Sequence, residues 1–131
     1  MSHRIFPLLL LSIALFLSGC ARQVQAQENI GDPVRGQIIY ETGGDVGIPC
    51  ASCHSLDGSR IVGPSFQRLP ERAGTRVEGL SAEDYIRQSI LAPGVVVVDG
   101  YENVMPAAFG ETFDEQTVND LIAFLLTQTD Q

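Results

Sequence analysis

Two thiols three positions apart, with an imidazole directly after the second, stand in Pro49-Cys50-Ala51-Ser52-Cys53-His54. That spacing serves four chemistries: a thioredoxin-like redox pair, half of a zinc site, a structural disulfide, or the covalent attachment of a c-type haem. A second reactive group is Met105, in Gly100-Tyr101-Glu102-Asn103-Val104-Met105-Pro106. What surrounds these residues has to choose among the four.

The N-terminus sets the compartment. Met1 to Arg4 carries one positive charge, and Ile5 to Leu17 is almost wholly apolar. The run is short for a bilayer span and reads as the apolar core of a secretory signal. It ends in Leu17-Ser18-Gly19-Cys20, which resembles a bacterial lipobox. That resemblance implies a signal peptide over 1–19, acylation of Cys20, and a mature chain of 112 of the 131 residues. An uncleaved anchor, or cleavage after a small residue such as Ala26, are the alternatives. Residues 20–30, polar and glutamine-rich, read as a tether, and 31–131 as one domain.

Export reassigns the cysteines. Of three, Cys20 goes to lipid, which leaves Cys50 and Cys53 in an oxidising compartment where a free thiol pair would not last. A disulfide closing so short a loop adds little stability, and no βαβ pattern supports a thioredoxin reading. Zinc fails by counting: His3 leaves with the signal peptide, so Cys50, Cys53 and His54 fall one ligand short of a structural site. Haem uses each position. The two thiols add across the porphyrin vinyl groups, and His54 follows as an axial ligand to iron, so the motif reads as a haem c attachment site.

The second axial ligand decides what such a haem does. Met105 is the one methionine besides Met1, no histidine remains beyond His54, and all eight basic residues are arginines, so lysine ligation is excluded. Met105 is the remaining strong side-chain ligand, and it sits in a turn-rich segment stiffened by Pro106. Histidine and methionine together close both axial positions. The chemistry implied is one-electron shuttling with no bond-making at iron, no small-molecule substrate and no catalytic residue. A haem enzyme or sensor would need a displaceable Met105, and the sequence offers no second histidine as a distal acid or base.

The elements that must position these groups read as helices. Asp32-Pro33 supplies a cap and a first-turn proline, and Val34, Ile38 and Ile39 recur at helical spacing up to about Glu41. Ser81 caps a second helix, with Tyr85, Ile86 and Ile90 as its buried face and Pro93 as its stop. Asp114 caps the last, with Phe113 as a staple to Val118 and an apolar stripe of Val118, Leu121, Ile122 and Leu125. Between them lie long loops, Thr42 to Pro49 and Ser55 to Gly79. Loops so long are uncommon in a compact domain unless a rigid apolar body gives them something to wrap. Val95 to Val98 reads as an extended segment whose alternate valines face the haem or neighbouring loops.

The order Cys-x-x-Cys-His, Gly63-Pro64, a helix, Met105-Pro106 and a C-terminal amphipathic helix resembles a class I c-type cytochrome over about Gly31 to Thr129. The stretches Ser89 to Pro93, Gly100 to Pro106 and Phe109-Gly110 are similar to the cytochrome c domain appended to some oxidase subunit II chains. They also resemble monohaem lipoprotein cytochromes of bacterial respiratory assemblies such as alternative complex III. The resemblance implies an all-α fold of about three to five helices with long loops around one covalent haem c. It implies Gly36 of the first helix packed against Phe124 of the last, with Tyr40 one turn on, and the Pro64 carbonyl accepting from His54. It also implies an arginine near the haem propionates, with Arg60, Arg72 and Arg76 in the right loop, and a tyrosine in place of the tryptophan this chain lacks.

The formal charge is −8, and −9 once Arg4 is removed. Strong acidity without lysine excludes nucleic acid and a basic docking ring. The expected partners are the membrane, through lipidated Cys20, and redox proteins or complex subunits. A tether of about ten residues reaches at most ~35 Å, which keeps the haem close to the outer face of the cytoplasmic membrane. An independent tethered carrier and a fixed subunit of an electron-transport complex both satisfy these constraints.

Overall fold

A computed structural model describes residues 31–129. The expected signal peptide, Cys20 and the tether lie outside the described residues. Five helices follow in order: α1 (Pro33–Thr42), α2 (Leu69–Ala73), α3 (Ala82–Leu91), α4 (Ala108–Thr112) and α5 (Glu115–Leu126). Two 3-10 turns, Gly44–Val46 and Cys50–Ser52, lie between α1 and α2. No strand occurs among the described residues, so the fold is all-α, as a class I cytochrome c requires.

The crossing of α1 and α5 is the frame. Asp32 caps α1 by accepting from the Val34 N–H, and Asp114 caps α5 by accepting from the Thr117 N–H, each satisfying a donor the first helical turn leaves open. The face that α1 buries is not its Val34/Ile38/Ile39 spacing. Val34 and Ile38 are 68% and 55% exposed, Ile39 is partly buried, and Gly36 and Tyr40 are the buried pair. Close approach explains the difference. A Cβ at Gly36 would lie 2.0 Å from the Asp120 carbonyl oxygen and 2.6 Å from the Phe124 Cβ, so the contact needs a residue with no side chain. Tyr40 then meets Phe124 at 5.4 Å between ring centroids and Phe66 at 6.1 Å.

A polar clamp lies beside this apolar contact. Asp120, on α5 and 3% exposed, accepts from the Asp32 N–H, Arg35 Nε and Gln116 Nε2, each at 2.7 Å. The Arg35 guanidinium holds the Asp120 carboxyl down at about 2. A buried carboxylate costs little when so fully hydrogen-bonded, and here it ties the start of α1 to the middle of α5.

α3 is capped by the Ser81 hydroxyl, which accepts from the Asp84 N–H at 3.1 Å, and it buries Tyr85, Ile86 and Ile90. The long loops are less bare than their composition suggests. The first contains the Gly44–Val46 turn and the second contains α2, whose five residues are too few to show a helical period. Val95 to Val98 is a run of turns and bends, and Val96, Val97 and Val98 all face the central cavity instead of alternating.

Candidate functional site

The attachment motif is wound into a tight turn. The Cys53 and His54 N–H groups both return to the Cys50 carbonyl, at 3.1 and 2.9 Å. Coiled this way, Cys50, Cys53 and His54 all line one cavity, and Pro64 and Met105 line it from two other loops. The five residues singled out for a haem site are thus brought together, although 55 positions separate the first from the last. The cavity takes in about 1020 Å³ of space, open solvent at its mouth included.

His54 is held from several sides. Its Nδ1 lies 2.7 Å from the Pro64 carbonyl oxygen. Phe66 stacks on the imidazole at 4.4 Å between centroids and 10° between planes. Gly63 presses on the ring, where a Cβ would come within 2.4 Å of Cε1. The Tyr40 hydroxyl donates to the His54 backbone carbonyl at 2.7 Å, which couples the ring's backbone to the α1–α5 frame. Burial lowers the His54 pKa, with the Pro64 hydrogen bond opposing it. The ring is therefore kept neutral, and one that donates its Nδ1 proton to Pro64 carries its lone pair on Nε2, the atom a metal would use.

Cys50 and Cys53 are free, partly buried thiols. Burial pushes the Cys50 thiol up to about 11, the opposite of what a thioredoxin-type nucleophile needs. Among the described residues no group of three His, Cys, Asp or Glu side chains converges as a zinc site would require. The donor set that does converge is one imidazole nitrogen, one thioether and two thiols on an apolar wall.

That set fits a covalent haem. The wall includes Val96, Phe109, Phe113, Leu121 and Leu125, and Glu102 is the one acidic residue on it. None of Arg60, Arg72 and Arg76 lines the cavity. Arg72 donates through Nη2 to the Ser65 and Gln67 carbonyls, while its buried Nε has no protein partner. Arg60 engages Gly100 and Tyr101, and Arg76 is exposed. Of the tyrosines, Tyr85 and Tyr101 line the wall.

Three contributions had no clear signal in the sequence: the Phe66 stack, the Tyr40 hydrogen bond and the pressure of Gly63 on the ring. The nearest hint is position, since Gly63 and Phe66 flank Pro64 in the loop that must return to His54.

The chain matches no curated protein. The Cytochrome c family model matches residues 33–129, well over half of the chain. With that match laid over a cavity that gathers two cysteines, an imidazole and a thioether, the chain belongs to the cytochrome c family, electron carriers that hold one covalently attached haem c.

Proposed function

We propose that this electron carrier is a membrane-anchored lipoprotein whose haem is attached through Cys50 and Cys53 and ligated by His54 and Met105. In this reading it serves as a subunit of a respiratory or photosynthetic electron-transport complex, on the outer face of the cytoplasmic membrane. The observation that carries the ligand assignment is the convergence of His54 and Met105, from separate loops, on the one cavity that the two cysteines also line.

Bound haem iron supplies a reversible one-electron change of oxidation state. The residues do the rest. Cys50 and Cys53 hold the ring by thioethers, so it is not lost on reduction or oxidation. Pro64, Phe66 and Gly63 fix the plane of His54 and keep its Nε2 as the donor. Met105 would hold the iron with a soft, neutral thioether, which would favour the ferrous state relative to a second imidazole. The apolar wall keeps water from both, so little has to reorganise when the charge changes.

The likeness to lipoprotein cytochromes of respiratory assemblies, together with the ~35 Å limit of the tether, favours the fixed subunit over a carrier that samples several partners. Mild-detergent extraction of native membranes, a native gel stained for haem, and mass spectrometry of the stained bands test this. Recovery in one large band, with the Cys20→Ala chain released to the soluble fraction, is the expected result. A small haem-positive species alone would make the protein an independent tethered carrier.

A further inference from the structure

The segment that carries Met105 is tied down in an unusual way. Among the described residues, the backbone hydrogen bonds of residues 93–107 are local turns: Val95 to Ala92, Tyr101 to Val98, Val104 to Glu102, and Gly110 to Ala107 at the entry to α4. Among the described residues, one hydrogen bond reaches from this segment to a distant part of the chain. It runs from Arg60 Nη2 to the Gly100 carbonyl, across 40 positions of sequence. The same guanidinium lies over the Tyr101 ring, with its Cζ 4.3 Å from the centroid. Arg60 belongs to the loop that leads from His54 to Pro64, so this single side chain joins the loop that fixes the imidazole to the loop that presents the thioether.

Tyr101 is also part of the cavity wall. The residue that the Arg60 guanidinium covers therefore also touches the cavity, and Met105 follows four residues later. The remaining hold on the segment is apolar, through Val96 and Met105 against the core. Apolar packing is non-directional and lets a loop shift, whereas a planar guanidinium both stacks on the ring and directs an N–H at the carbonyl.

We propose that Arg60 is a latch that holds the Met105 loop closed over the cavity, and so is a positioning residue for the thioether ligand. The latch rests on the assignment of Met105 as that ligand. Its loss leaves the fold intact, because Arg60 is exposed and lies outside the α1–α5 frame, but lets the loop open often enough for an external ligand to compete with Met105.

The test uses haem-loaded, purified wild-type protein and the Arg60→Ala, Arg60→Lys and Tyr101→Leu variants. Two readouts are taken on the ferric forms: the thioether-to-iron charge-transfer absorption, and the rate at which added imidazole binds. Arg60→Ala is expected to bind imidazole about tenfold faster, the effect of losing one charge-assisted hydrogen bond and one cation–π contact. Tyr101→Leu should do the same in part, and Arg60→Lys should recover part of the wild-type rate. An unchanged imidazole rate in Arg60→Ala, with the charge-transfer band present in the wild type, overturns the latch alone. A wild type without that band overturns the Met105 assignment, and the latch falls with it. If Arg60→Ala does not yield haem-loaded protein, Tyr101→Leu decides, since it leaves the Gly100 carbonyl and Arg60 in place.

Discussion

The α1–α5 crossing and the 93–107 loop hold their shapes by different means. The crossing has a glycine-to-backbone contact, a run of buried apolar side chains and a carboxylate that accepts four hydrogen bonds from three residues. Among the described residues, the loop has local turns, some apolar packing and one long-range hydrogen bond. The frame rests mainly on contacts between protein atoms, with Leu121 and Leu125 of α5 reaching the cavity wall. The loop borders the cavity, so under the proposed ligation its order depends on the haem and on Met105 as its ligand. Stability and redox function are therefore carried by different regions, and they should respond to different substitutions.

The largest effect should come from withholding the haem, by replacing Cys50 and Cys53 with alanine. The cooperative thermal transition should be lost, and amide exchange should become unprotected across 93–107 before α1 and α5. A loop that stays protected without haem would break the comparison. Gly36→Val strikes the frame instead. Its side chain would have to push against the Asp120 carbonyl and Phe124, and a cost of at least ~3 kcal/mol is expected, enough to sharply reduce haem-loaded yield. The ligand absorption of whatever protein survives should be unchanged.

Asp120→Asn sharpens the same contrast. Its folded pKa, about 2, lies below the ordinary carboxylate value of 3.8, so its contribution is present above pH 4 and lost as pH falls through about 2. The wild type should exceed the variant by about 2 kcal/mol near neutral pH, with the gap closing towards pH 2 in a denaturation series. Ser81→Ala, which removes the α3 cap, should cost about 1 kcal/mol in the same assay.

How far the sequence reaches follows from how local each constraint is. Asp32, Ser81 and Asp114 are legible as caps because a cap needs only one side chain beside one helix start. Cys50, Cys53 and His54 are picked out by a spacing that attachment chemistry would dictate and Met105 by elimination, and their convergence on one cavity appears only in the fold. The buried face of α1 misleads a reading by apolar period, which picks Val34 and Ile38, whereas the family resemblance points to Gly36 and Tyr40, the pair that close helix approach buries. Asp120 lies on the side of α5 away from the apolar stripe, where a carboxylate reads as a solvated surface group, and reveals its role only when α1 supplies its donors. α2 and α4 are too short to show a period, and the Phe66 stack and Arg60 contacts arise from loops that meet only in three dimensions.

The ligand pair is the centre of the account, and near-infrared magnetic circular dichroism of the ferric, haem-loaded protein measures it directly. A thioether-to-iron transition, lost in Met105→Ala, is the predicted result. A spectrum of two nitrogen ligands or of high-spin iron in the wild type would contradict the assignment of Met105 and with it the closed, one-electron site.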